Sequence, residues 1–144
     1  SDPDIPGSGL EFTMLSALAN ANCTANDIDY ICAYGPGHPL FDRIELDVIK
    51  RVFSQKAASV PITSIKGVTG NPLAAAGPLQ TIASALSLSY NLIPPTANCE
   101  NPDVGCVADI VRAGARRVKI NRVLVNVRGL GGGNSTLVVE RVRK

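Results

Sequence analysis

Apolar positions recur along this chain with two different periods. Leu10, Met14, Leu18 and Ala21 fall at helical spacing, and Leu15 and Ala19 widen the stripe, so a helix is predicted that stops near Asn22. Asn26-Asp27 reads as a turn. Residues 28–33 alternate and then become continuously apolar, which predicts a buried strand. Leu40, Ile44, Val48 and Val52, with Ile49 and Phe53 beside them, mark a second helix. Pro39 suits its first turn, and Asp42 and Glu45 complement its dipole there. Residues 60–63 form a short apolar strand. Residues 73–90 then read as a long helix of Ala, Ser, Leu and Ile with few charges on any side. Such a helix is expected to be buried all round. A lone domain of 144 residues has trouble covering it, so a second copy or a missing half is expected to pack there.

After Ile93-Pro94-Pro95 the pattern weakens. Residues 98–105 read as a loop and 107–113 as a short helical piece. Residues 123–128 and 136–142 alternate as strands, joined by the glycine-rich segment 129–135. The order is helix, strand, helix, strand, helix and two strands, with no linker and no repeat. That predicts a single α/β domain over 1–144, with a mixed sheet layered with helices.

Composition narrows the function. Net charge is +2 and aromatics are 4%, so neither a nucleic-acid face nor a base-stacking platform is indicated. Cys23, Cys32, Cys99 and Cys106 are scattered with no Cys-x-x-Cys pair, which argues against a metal and for reduced thiols in a cytoplasmic protein. No apolar run reaches the roughly 18 residues of a membrane helix. The segment 1–9 begins without Met and carries Pro and Gly, which suggests a piece of a longer protein. The glycines of 129–133 join two strands and open no helix, so they indicate a turn at a pocket rim rather than a nucleotide loop, and no cofactor is implied.

The candidate chemistry lies where strands end in polar loops. The rigid loop Tyr34-Gly35-Pro36-Gly37-His38-Pro39 follows the first strand. Lys66 and Asn71 stand between the second strand and the small-residue helix. In α/β proteins such positions form the ligand rim. From the residues alone, Lys66 reads as a support paired with Asp42 or Glu45. His38, the only histidine, reads as a half-exposed loop residue, and Asn71 as a pocket residue or as a helix-cap or turn residue.

These motifs, in this order, resemble the C-terminal half of the β-ketoacyl synthases, condensing enzymes with the thiolase fold. The loop from Tyr34 to Asp42 is similar to the family's His-Gly-Thr-x-Thr-Pro-Leu-x-Asp motif. Ser64 to Gly77 is similar to its Ser-x-Lys-x-x-x-Gly-His motif and the helix after it. Ile93-Pro94-Pro95-Thr96, Glu100-Asn101-Pro102 and the glycine-rich loop complete the resemblance. It implies acyl transfer by decarboxylative condensation. The nucleophilic cysteine would lie in an N-terminal half outside this chain, and two histidines would act in this one. It implies acyl carrier protein and a ketosynthase half or subunit as partners; self-association is expected separately, from the charge-poor helix after Asn71.

The resemblance also implies departures. Tyr34 and Asn71 stand at the two histidine positions, and Pro36 and His38 at the threonines of the pantetheine path. Lys66, Asp42 and Glu45 are kept, while Gln80 replaces a glutamate nine residues beyond Asn71. Leu130, beside Gly131, replaces the aromatic that gates the acyl pocket, and Arg128 takes another aromatic position. A Tyr hydroxyl and an Asn amide can donate to an enolate oxygen, but neither exchanges protons near pH 7 as His does. Two readings follow: a degenerate, chain-length-factor-like or structural partner, or an active synthase using Tyr34 and Asn71 as donors.

Overall fold

The computed structural model describes residues 6–103 and 106–142. The first helix, α1 (Ser8–Asn20), buries Leu10, Met14 and Leu18 at four-residue spacing. It leaves Leu15, expected on the same stripe, exposed beside Phe12. Strand β1 (Tyr30–Cys32) follows, then α2 (Pro39–Phe53), β2 (Pro61–Thr63) and a one-turn helix, α3 (Lys66–Thr69). The long helix α4 (Ala76–Tyr90) starts after a tight turn at Leu73–Ala75. Five strands close the chain: β3 (Leu92–Ile93), β4 (Asp109–Ile110), β5 (Arg116–Arg117), β6 (Arg122–Arg128) and β7 (Asn134–Glu140).

The main sheet runs β4-β2-β1-β6-β7, and β3 and β5 form a separate two-stranded pair. β4, β2, β1 and β6 are parallel, and β7 returns antiparallel to β6. The four strands expected together therefore lie in one mixed sheet. Register follows the apolar pattern: Ile31 pairs with Ile62 on one side and with Leu124 on the other. One face packs on α1 and α2 through Met14, Ile31, Val48, Ile62 and Leu124. The other packs through Cys32, Leu88, Val123 and Val125.

Two expectations need correction. The segment 107–113 is not helical. Asp109–Ile110 adds an edge strand beside β2, and the Val111 N–H donates to the Ile62 carbonyl at 3.1 Å. The β-branched Val107, Ile110 and Val111 favour this pairing over an isolated turn. α4 is not buried all round either. It buries Ala76, Gln80, Ser84, Ser87 and Leu88, while Leu79, Ile82, Leu86 and Tyr90 face outward. Polar residues thus point at the sheet, and the larger apolar ones point away from it. The exposed ridge runs at the i, i+3, i+7, i+11 spacing of a helix-packing face.

Candidate functional site

The polar residues of the sequence motifs converge at the C-terminal ends of β1, β2 and β6. In a largely parallel sheet this is the end where ligands bind. Glu45, buried in α2, organises it. Its Oε1 accepts from the Tyr34 N–H and the Asn126 Nδ2, each at 2.9 Å, and its Oε2 accepts from the Gly35 N–H at 2.9 Å. A helix carboxylate thus fixes the start of the loop after β1 and ties it to β6.

Lys66, on α3, holds the same loop from the other side. Its Nζ donates to the Tyr34 carbonyl at 2.5 Å and to Gln80 Oε1 at 3.2 Å, and lies 4.6 Å from the centre of the Tyr34 ring. Burial lowers its pKa, while Glu45, Cys32 and Asp42 push it up. The expected direct pairing of Lys66 with Asp42 or Glu45 is absent among the ion pairs of the described residues. Glu45 spends its oxygens on main-chain and amide donors, so its charge reaches the ammonium only through space. Tyr34 sits between the two, its N–H held by Glu45 and its carbonyl by Lys66. Its ring is buried, and its hydroxyl makes no hydrogen bond among the described residues.

Gln80 was noted in the sequence only as a replaced glutamate, yet it joins three elements. From α4, its Nε2 donates to the Ala33 carbonyl at 2.8 Å and the Asn126 carbonyl at 2.9 Å, while its Oε1 receives Lys66. Asn126, inside an apolar strand, completes the network by accepting from Thr136 at 3.1 Å. A lone amide among Val123, Leu124, Val125 and Val127 was the available signal, since a buried amide needs partners. Ser64 donates to the Gly35 carbonyl at 2.6 Å. There Gly35 is required: its φ is +35°, and a Cβ would come within 2.7 Å of Ser64 Cβ.

The remaining candidates lie apart. His38 is exposed and caps α2, its Nδ1 accepting from the Leu40 N–H at 3.3 Å. Asn71 is exposed and caps neither the turn at Leu73–Ala75, which Pro72 precedes, nor α4, which Ala75 precedes. The helix-cap role weighed for it is therefore excluded. Leu130 and Gly131 are exposed on the glycine-rich turn. A cleft of about 400 Å³ lies between the start of α2, the end of β2 and the loop around Asn98. Pro36, Asp42, Glu45 and Lys66 line it; Tyr34, His38, Asn71, Leu130 and Gly131 do not.

Asp42 also lines that cleft. Its Oδ1 is buried without a partner. Burial, then the nearby Glu45, raises its pKa to about 6, and the N–H groups of Gly37 and His38 hold it back. The folded state therefore binds this proton more tightly than the unfolded chain does. Its contribution is fully favourable below the ordinary value of 3.8 and is lost as pH rises through about 6. The gap of about two units corresponds to about 3 kcal/mol. Solvent at this half-buried group screens that to about 1 kcal/mol. Asp42→Asn should remove this fall, so that urea midpoints of wild type and variant diverge between pH 4 and 6 in favour of the variant. Parallel pH profiles would contradict it.

With this geometry in place, the relatives can be compared. A family profile described as the beta-ketoacyl synthase C-terminal domain matches residues 2–100. The chain belongs to the β-ketoacyl synthase family. It is 41% identical over 140 residues to a 3-oxoacyl-[acyl-carrier-protein] synthase 2 of Coxiella burnetii, covering 97% of this chain and 34% of that protein. It is 38% identical over 138 residues to the tetracenomycin polyketide synthase ketoacyl synthase alpha subunit of Streptomyces glaucescens, covering 96% of this chain and 32% of that one.

Among solved structures, the chain resembles one of a type II polyketide synthase acyl-carrier protein in complex with its ketosynthase bound to the hexaketide. The TM-score is 0.93 at 29% identity, over 99% of this chain and 35% of that one. The ishigamide ketosynthase/chain length factor gives a TM-score of 0.89 at 28% identity, over 94% and 33% of the respective chains. This confirms the thiolase-like fold. The chain spans about a third of the length of the relatives it matches.

Proposed function

We propose that this chain is the C-terminal part of a ketosynthase-type protein of fatty-acid or polyketide synthesis that does not itself condense. In this reading it acts as a chain-length-factor-like or structural partner that shapes an acyl pocket beside an active ketosynthase. The observation that carries the reading is the absence of an imidazole at both motif positions. Tyr34 has its main chain clamped by Glu45 and Lys66, and Asn71 stands exposed. Leu130 at the glycine-rich turn, where the family's gating aromatic would stand, would widen the rim of the acyl pocket. Two relatives by name or title contain acyl-carrier protein or a chain length factor, which supports these as partners. Incubation with acyl-carrier protein substrates should leave Cys23, Cys32, Cys99 and Cys106 unmodified by mass spectrometry. An acyl adduct on any of them would sink the reading.

The second reading is an active synthase in which Tyr34 and Asn71 replace the histidines as donors and the cysteine lies in an N-terminal half. The unbonded Tyr34 hydroxyl favours it, since a donor without a partner is free for an oxyanion. In both readings 1–144 is one domain completed by further chain. No helix among the described residues is long and apolar enough to cross a membrane.

The ridge of Leu79, Ile82, Leu86 and Tyr90 supports a protein partner on α4, either the rest of a ketosynthase fold or a second copy. Sedimentation should show concentration-dependent association that Ile82→Glu weakens. Strictly monomeric behaviour at high concentration would contradict self-association.

A further inference from the structure

A second cavity, of about 280 Å³, lies between the C-terminal half of α2, the 3-10 turn Ser54–Ala58 and the segment that leads into β4. Leu46, Ile49 and Lys50 share one side of the helix through their i, i+3 and i, i+4 spacing. Ser54 ends α2 at φ +50°, a left-handed conformation that a residue with a Cβ rarely takes. After that reversal Ala57 packs in one cluster with Ile49, and Ala58 follows it to the cavity wall. Cys106, Val107 and Ala108 close the other side. The walls are therefore largely alkyl. The alanines leave the space, and among the described residues neither an aromatic ring nor an acidic side chain lines it. Lys50 is the one charged residue of the lining, and it is half-exposed. It meets Asp47 at 3.5 Å, a surface pair of the kind that contributes little.

An alkyl trough with one ammonium at its rim complements a flexible chain that ends in one negative charge. We propose that this trough binds the alkyl chain of a medium-length carboxylate, with the carboxylate held at Lys50. An aromatic ligand would find no ring to stack on, and a cationic amphiphile would meet Lys50. The larger cleft beside it offers no such place. Asp42 and Asp103 line that cleft, and its one ammonium, on Lys66, is spent on Tyr34 and Gln80. The two cavities share Leu46, Ile49 and Cys106, but none of Tyr34, Asn71 or Leu130 lines either. The site therefore stands apart from the acyl pocket of the preceding reading and does not depend on whether the protein condenses.

Two half-buried thiols report which cavity is filled, since Cys106 lines both and Cys99 only the larger cleft. The intact protein is labelled with N-ethylmaleimide and read by peptide mass spectrometry. The probes are decanoate, acetate and decyltrimethylammonium, at constant ionic strength. Decanoate should slow labelling of Cys106 by about fivefold or more at saturation and leave Cys99 unchanged. Neither acetate nor decyltrimethylammonium should protect. Lys50→Glu, at an exposed helix position, should reverse the preference, so that the cationic amphiphile protects Cys106 and decanoate does not. The site is overturned if decanoate leaves Cys106 unprotected, if it protects Cys99 equally, or if Cys106 does not react without it. The alkyl assignment is overturned if acetate protects as well as decanoate does. The carboxylate assignment is overturned if decyltrimethylammonium protects wild type equally, or if Lys50→Glu keeps the wild-type preference. Failure of the acyl-pocket reading would leave protection by decanoate intact.

Discussion

Glu45→Ala should cost about 3–5 kcal/mol, the largest loss expected from any single change at the site. Three donors converge on this carboxylate: the N–H groups of Tyr34 and Gly35 and the Asn126 amide. Truncation leaves all three unpaired, and those of Tyr34 and Asn126 lie in buried positions, where Glu45 itself is 2% exposed. It also removes the foremost of the negative groups that offset the burial of Lys66. A loss of this size is a large share of the total stability of a domain, about 5–15 kcal/mol. Urea unfolding of the intact protein should show it as a lower midpoint at unchanged slope. Glu45→Gln keeps one acceptor oxygen and should lose less. A Glu45→Ala loss below about 1 kcal/mol would mean that the loop is held by other contacts.

The second large effect concerns chemistry and separates the two functional readings. If the intact protein condenses, Tyr34→Phe or Asn71→Ala should each lower its rate by about 10²-fold or more, the usual loss for one oxyanion donor. If it is a non-condensing partner, both changes should leave the turnover of the active ketosynthase nearly intact. Leu130→Phe should then alter product length instead, by narrowing the rim at the glycine-rich turn. Tyr34→Phe is a clean test because the clamps from Glu45 and Lys66 reach the main chain of Tyr34 and not its hydroxyl. The fold of the loop should survive the change, so a lost rate would report on the hydroxyl alone.

Much of the fold was legible in the sequence because apolar spacing is set by burial. The four strands around β1 and the stripes of α1 and α2 follow from it. The edge strand at Asp109–Ile110 was not legible, since two residues carry too little period to tell strand from helix. α4 misled for a different reason. Its Ala, Ser and Leu composition suggests burial on every side, but the face that meets the sheet carries Gln80, whose amide satisfies a carbonyl just beyond β1 and one within β6. Charge pairing misled at Lys66 in the same way. Nearby acids in the motif suggested an ion pair, whereas the acids and the lysine each bind main-chain groups of one loop. Where polar groups are buried, their partners come from distant parts of the chain, and local sequence does not name them.

Whether the protein condenses, as it should not under the proposed function, is tested most directly by carbon dioxide release from malonyl-acyl carrier protein. The intact protein should be assayed alone and then with its active ketosynthase partner. Non-condensing function predicts no release above background from the protein alone, and release in the mixture that is indifferent to Tyr34→Phe and Asn71→Ala. Release by the protein alone that falls about 10²-fold on either substitution would contradict it and make Tyr34 and Asn71 working donors.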